Sequence, residues 1–96
     1  MDSLLTFEIG AEGDELFIHG DAVGLRRLSA VLEQVAKSAE RGEFPHEHLF
    51  GPEWGGEDLS SDVQELGHRR LVHVKVLGWP DPRGAKAYQG AGPISK

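Results

Sequence analysis

The chain has 96 residues, of which 39% are hydrophobic, and it contains no cysteine. That length suits one domain with one modest core, and the lack of cysteine excludes disulfides and thiolate metal sites as its support. Sixteen acidic against ten basic residues give a net charge of −6, which argues against a nucleic-acid-binding surface and is compatible with a basic partner.

Two short strands open the predicted fold. In residues 5–9 hydrophobic side chains alternate with Thr6 and Glu8, which is the pattern of a strand with one buried face. A turn that contains two glycines leads to residues 15–19, a second strand in which Leu16 and Ile18 face one way and Phe17 and His19 the other. We expect these strands to form an antiparallel hairpin in which Thr6 and Glu8 lie on the face away from the core.

Residues 22–40 are predicted to form the one long helix. Hydrophobic residues recur there at intervals of three and four, which gives an apolar stripe and a polar opposite side. Asp21 is the expected N-cap, and Gly42 is the expected left-handed residue after the helix. The stripe that we expect to pack on a sheet consists of Leu25, Leu28, Val31, Leu32 and Val35.

The second half of the chain predicts two or three further strands. Residues 46–50 are short but strand-like, residues 59–61 could add a short strand or bridge, and residues 69–77 alternate well enough for a central strand. The resulting order, ββαββ(β), predicts an α+β domain. Its helix would pack on one antiparallel sheet of four or five strands, which holds the hairpin and residues 70–77.

The domain is expected to end near residue 79. Residues 80–96 are rich in glycine and proline and show no hydrophobic period, so we expect a flexible C-terminal tail after a single domain over residues 1–79. The charge is uneven as well, because residues 1–77 hold 15 acidic and 7 basic side chains, a net charge of −8. The body of the domain is therefore more acidic than the whole chain.

The sequence favours a cytoplasmic location. No apolar segment reaches the roughly 20 residues that cross a bilayer. The start of the chain lacks the basic flank and the apolar run of a signal peptide. We therefore expect neither a membrane partner nor a nucleic-acid partner.

Three histidines are candidates for a site on the sheet. His46 and His48 are two residues apart on a predicted strand and so point to the same side, and His73 could join them from a neighbouring strand. With Glu53 or Glu57 as a carboxylate, they would supply the two imidazoles and third ligand that zinc needs. Solvated histidines explain the pattern as well. Because the sequence fixes no third and fourth ligand, we expect no bound metal and no cofactor.

The loop after residue 50 is a candidate contact surface. Gly55 and Gly56 allow the backbone to approach another surface closely, and Trp54 before them offers the large contact area of an interface anchor, with Glu57 following. The alternative is structural, with Trp54 closing the end of the core above a tight turn. The loop lacks the lysine and the strand-to-helix context of a phosphate-binding loop, so we predict no nucleotide site.

The sequence offers little to support catalysis. It has no cysteine, and no serine stands in a Gly-x-Ser-x-Gly setting, so no catalytic triad is indicated. A small metal-dependent or acid–base enzyme that uses His46, His48 and His73 remains an alternative. A structural module that forms a homodimer through an uncovered sheet face is another.

Five motifs follow one another along the chain: Leu-Phe-Ile-His-Gly-Asp from residue 16, Gly-Leu-Arg-Arg-Leu from residue 24, His-Glu-His-Leu from residue 46, Trp-Gly-Gly-Glu-Asp-Leu-Ser from residue 54 and His-Val-Lys-Val from residue 73. In this order they resemble a family of small bacterial immunity proteins from polymorphic toxin systems. The resemblance spans residues 15–79 and leaves out the first strand and the tail. Its most specific parts are the His-x-His-Leu strand and the Trp-Gly-Gly loop.

The resemblance implies a cytoplasmic protein that is not an enzyme and that binds and neutralises a cognate toxin. The acidic body fits a basic toxin, because opposite charge speeds the encounter of two proteins. The residues that we expect at the contact surface are Trp54, Gly55, Gly56, Glu57, His46, His48 and His73.

Overall fold

The computed structural model of the protein describes residues 3–80. This part of the chain contains one α-helix and five strands in two antiparallel sheets, which confirms the predicted α+β class. In chain order the elements are β1 (Leu5–Ile9), β2 (Leu16–Gly20), α1 (Ala22–Glu40), β3 (His46–Phe50), a 3₁₀ turn (Pro52–Trp54), β4 (Arg69–Arg70) and β5 (His73–Leu77). The predicted tail, residues 80–96, lies outside the described residues except for Pro80.

The strands divide over two sheets, whereas one sheet was predicted. β1 lies between β2 and β4 in the first sheet, and β3 pairs with β5 in the second. The segment predicted as one strand over residues 70–77 changes sheets in its middle. The Leu71 N–H donates to the Phe7 carbonyl in the first sheet, and the Val72 carbonyl accepts from the Gly51 N–H beside the second, both at 2.8 Å.

Strand β1 is buried on both faces, although one exposed face was predicted. Leu5 and Phe7 lie in the hydrophobic core, and Thr6 and Glu8 on the opposite face are also buried. The predicted alternation is therefore correct, but residues 60–68 cover the second face without forming a helix or strand. A segment of irregular structure leaves no period in the sequence, so its position over β1 could not be predicted.

Helix α1 has the predicted bounds and ends. The Asp21 carboxylate accepts a hydrogen bond of 2.7 Å from the Gly24 N–H, and this bond holds the pKa of Asp21 below its usual value. Gly42 follows the helix with φ of +87°, a conformation that glycine adopts without strain. Among the described residues, no helix is both long enough and apolar enough to cross a membrane.

The helix buries a narrower face than the predicted stripe. Val35 is buried, and Leu28 and Val31 pack against the core. Leu25 and Leu32, however, are 45% and 47% exposed. The helix contacts β2, β3 and β5, so it lies across the junction of the two sheets, and only the side chains turned toward that junction are covered.

Gly24 allows the first turn of the helix to lie directly on the chain before β1. A Cβ built on Gly24 would be 1.9 Å from the Leu4 carbonyl oxygen. The same oxygen accepts a hydrogen bond of 3.1 Å from the Asp21 N–H. Because the obstacle is backbone, a rotamer change cannot relieve it, and a side chain here would push the helix away from the strand.

We therefore expect Gly24→Ala to lower the free energy of unfolding by about 1–3 kcal/mol, the usual cost of overpacking. In an unobstructed helix the same change would raise it by about 1 kcal/mol. Urea unfolding of this variant and of Ser29→Ala, at an exposed position of the same helix, measures the difference. An unchanged or higher unfolding midpoint for Gly24→Ala would contradict the close contact.

Candidate partner-binding surface

The second sheet has one face in the core and one face outside. Leu49 of β3 and Val74 of β5 are paired in register and face the core. Since side chains alternate along a strand, the residues on either side of them face outward. The outer face consists of the register pairs Phe50 with His73, His48 with Lys75, and His46 with Leu77.

Five rings form a continuous cluster on this outer face, which we call the ring stack: His46, His48, Phe50, Trp54 and His73. The His73 ring lies 5.0 Å from His48 and 4.8 Å from Phe50, and both pairs are within 10° of parallel. Trp54 stacks on Phe50 and His73 at 5.9 and 5.4 Å, and His46 meets His48 edge to face at 5.4 Å. A pair such as Phe50 and Trp54 is worth about 0.5–1.5 kcal/mol beyond the burial of its surface.

Four of the seven residues predicted for the contact surface lie in the ring stack: His46, His48, Trp54 and His73. Phe50 was not predicted, although its spacing of two from His48 places it on the same face. Glu57 lies elsewhere, beside the helix, where its carbonyl oxygen is 3.4 Å from the Arg27 guanidinium. The Trp-Gly-Gly-Glu loop is thus divided between two surfaces.

Gly55 and Gly56 hold Trp54 in place. Gly55 ends the 3₁₀ turn with φ of +78°. A Cβ on Gly56 would lie 2.4 Å from the Cβ of Phe50, so the loop can pack this closely against β3 only with glycine there. Trp54 itself is 61% exposed, so the alternative that it closes the end of the core is wrong.

The ring-stack histidines do not gather the predicted carboxylates. Glu53 forms an ion pair with Arg70, and Glu57 lies beside Arg27. Within residues 3–80, the one group of three histidine and carboxylate side chains with metal-ligand spacing contains none of the ring-stack histidines. Both predicted carboxylates therefore have partners outside the ring stack.

His48 and His73 share one proton within the stack. His48 Nδ1 and His73 Nε2 are 2.8 Å apart, so one nitrogen donates to the other and both cannot carry a proton there. Burial of the ring, followed by the charges of His73 and Lys75, lowers the pKa of His48. The folded stack therefore favours the neutral form of His48.

Residues 15–72 match the sequence profile of a family described as Immunity protein 32. This match covers more than half of the chain. The chain belongs to the Immunity protein 32 family. A search of curated proteins and a search of solved structures found no match.

The Immunity protein 32 assignment confirms the predicted resemblance to an immunity protein family. The matched residues contain β2, α1, β3, the Trp54 loop and β4, while β1 and β5 lie outside them. Four of the five rings in the ring stack are therefore within the Immunity protein 32 match, and His73 follows its end by one residue.

The lowered pKa of His48 gives a testable pH dependence. Because an unfolded histidine titrates near pH 6.5 and folded His48 titrates lower, the unfolded chain binds more protons between those two values. The contribution of His48 to stability is therefore complete above about pH 6.5 and falls as the pH drops toward the folded pKa. NMR titration should show the His48 midpoint below 6.5 and moving upward in His73→Gln, and an unchanged midpoint would contradict this coupling.

The glycines of the loop give a second prediction. We expect Gly56→Ala to detach the Trp54 loop from β3 and to lower stability, because its Cβ would collide with Phe50. Gly55→Asn is the matched control, since asparagine tolerates positive φ and the space around this position is open. Tryptophan fluorescence and thermal unfolding should change much more in Gly56→Ala than in Gly55→Asn. The reverse order would contradict the close packing of Gly56 against Phe50.

Proposed function

We propose that this member of the Immunity protein 32 family binds a cognate bacterial toxin in the cytoplasm and neutralises it by protein–protein contact. The ring stack is the proposed centre of the contact surface. The observation that supports this location is the exposure of a large aromatic side chain, Trp54, on a face built from further rings. In protein interfaces, tryptophan and tyrosine in well-packed centres carry a large share of the binding energy.

The ring stack is well suited to rigid contact. Its rings already touch one another, and the Trp54 loop is fixed by glycines that pack against β3. Side chains that are ordered before binding lose little conformational freedom in the complex, so more of the contact energy contributes to affinity. Leu77, which is half-exposed at the far end of the same face, extends the apolar area.

Charge and aromatic contact have separate roles in this proposal. The ring stack contains no carboxylate, and Lys75 lies beside it, so the acidic side chains of the body lie outside the stack. A net charge of −8 over residues 1–77 would steer a basic toxin toward the protein and raise the association rate. Contacts of the rings would then slow dissociation.

This proposal describes a binding protein rather than an enzyme. The His48–His73 pair has no carboxylate partner among the described residues that would orient it as a general base. The geometry therefore does not support the alternative hypothesis of an enzyme that uses His46, His48 and His73. Turnover of a small molecule that depends on these residues would favour that hypothesis over the binding protein. A homodimer formed through the outer sheet face is the other alternative, and its test is the mass of the free protein in solution.

The test is to measure binding of the purified protein to the product of the neighbouring coding sequence, in the parent and in two variants. Trp54→Ala should weaken binding at least about 30-fold, which corresponds to about 2 kcal/mol for an interface anchor. Leu66→Ala is the control, because it removes a side chain that is apolar and 85% exposed but lies outside the ring stack. Circular dichroism should show that both variants fold.

Ionic strength separates the contribution of the acidic body from the contribution of the ring contacts. Raising the ionic strength should lower the association rate of the parent and of Trp54→Ala to a similar extent, because both retain the acidic body. The dissociation rate should be higher for Trp54→Ala than for the parent at every salt concentration. If folded Trp54→Ala binds and protects cells as well as Leu66→Ala does, the ring stack is not the contact surface, and if no neighbouring product binds, the toxin proposal itself is wrong.

A further inference from the structure

Three side chains converge on the face of the first sheet that residues 60–68 cover: Glu8, His19 and His68. Glu8 of β1 and His19 of β2 share this face, because Thr6 pairs with His19 and Glu8 lies two residues further along the strand. His68 directly precedes β4, whose Arg70 pairs with Glu8. From this geometry we infer that Glu8, His19 and His68 form a binding site for a divalent transition-metal ion of the zinc type.

The distances fit a bound ion. Glu8 Oε1 is 3.1 Å from His68 Nδ1 and 3.6 Å from His19 Nε2, and one ligand atom from each residue lies within 4.8 Å of the others. Zinc binds histidine nitrogen and carboxylate oxygen at about 2.0–2.1 Å with tetrahedral angles, which puts neighbouring ligand atoms about 3.3 Å apart. Both distances from Glu8 Oε1 lie close to that spacing.

His19 provides an independent observation. Its Nε2 atom is buried and has no hydrogen-bond partner among the described residues. The carboxylate oxygens nearest to it, on Glu8 and Glu65, are 3.6 and 3.7 Å away, which is too far for a hydrogen bond. Buried polar atoms are nearly always paired with protein, water or an ion, and a metal placed among these groups would satisfy the nitrogen.

Hydrogen bonds already orient the Glu8 carboxylate for this role. Its Oε2 accepts from the Thr6 hydroxyl at 2.8 Å and from the Gln64 N–H at 2.7 Å, and its Oε1 faces the two imidazoles. In metal sites, such bonds to the outer oxygen fix the ligand carboxylate. The Phe17 ring, 4.5 Å from the His68 ring, adds an apolar wall.

Glu65 supplies a second carboxylate on the exposed side. Its two oxygens lie 3.7 Å from His19 Nε2 and His68 Nε2. It can balance the charge of a divalent ion together with Glu8, and it can orient His68 through the ring nitrogen that does not bind the metal. The chemistry of two imidazoles and a carboxylate suits zinc and its neighbours among the transition metals better than magnesium or calcium.

A metal here would link two parts of the chain, the hairpin and the end of residues 60–68, that no disulfide joins. Glu8 and His19 come from the hairpin, and His68 comes from the far end of residues 60–68, which contain no regular secondary structure. In a chain without cysteine, an ion that binds the folded state alone would stabilise it, by an amount that grows with the logarithm of the ion concentration divided by its dissociation constant. This inference does not depend on the proposed toxin.

The test uses the full chain without a histidine tag, stripped with a chelator and titrated with ZnCl₂ by calorimetry. One zinc ion per chain should bind, and the melting temperature should rise with zinc. His19→Gln should weaken zinc binding at least about 10-fold. It should still fold, because the His19 ring is 30% exposed and its Nε2 makes no hydrogen bond.

His48→Gln is the matched control, because it removes a histidine of the ring stack, and it should bind zinc as the parent does. Co²⁺ bound to the parent should also show the visible absorption of a four-coordinate site with nitrogen and oxygen ligands, and His68→Gln should lose it. The inference is overturned if the parent shows no saturable binding near one ion per chain or if His19→Gln binds as tightly as the parent. Zinc binding that is lost in His48→Gln but kept in His19→Gln would overturn it as well.

Discussion

The fold depends on a carboxylate in the middle of its central strand. Glu8 has no exposed surface, and burial alone would raise its pKa, because a buried charge loses its hydration. Hydrogen bonds from the Gln64 amide, Thr6 and His68, together with the charge of His19, more than offset this effect, so the pKa of Glu8 lies below its usual value. The carboxylate is therefore ionised at neutral pH, and two of its hydrogen-bond partners, Gln64 and His68, come from residues 60–68.

The same stretch of chain also connects the two sheets. The Leu59 N–H donates to the Phe50 carbonyl at the end of β3, and the next amide, of Ser60, donates to the Leu5 carbonyl in β1. The chain crosses back to the second sheet at Leu71 and Val72. The chain thus crosses between the sheets twice, in opposite directions, and these crossings fix how the sheets meet under the helix. The side chain of Leu59 is buried in the core with residues of both sheets. The direction in which the outer face of β3 and β5 points follows from these crossings.

Local features of this fold can be predicted from the sequence, whereas its long-range contacts cannot. The helix bounds, the Asp21 cap and the shared face of His46 and His48 depend on residues a few positions apart, and the structure has them as predicted. The Glu8, His19 and His68 cluster joins residues up to 60 positions apart, and its three members show no common spacing. The register of the hairpin brings Glu8 and His19 together, whereas His68 joins them only through the position of residues 60–68. That position follows from buried hydrogen bonds that periodicity does not encode.

At shorter range the helix stripe shows the same limit, whereas Phe50 does not. Alternation along β3 places Phe50 on the same face as His48. The sequence was therefore sufficient to predict Phe50 as a member of the ring stack. Leu25 and Leu32 satisfy the helical period but remain exposed, because a period shows which side chains share a face and not how wide the covering surface is. Predicting that width required knowing that the strands divide over two small sheets.

The two proposed sites lie at the ends of one connected segment. At one end, the Asp58 carboxylate and the Leu59 N–H are bonded to the backbone of Phe50, within the ring stack. At the other end, His68 is bonded to Glu8. Contacts that hold the His68 end therefore restrict the segment that also fixes Phe50, and a bound metal would add to that restriction. The segment therefore contacts both sites, although the ring stack and the cluster of Glu8, His19 and His68 share no residue.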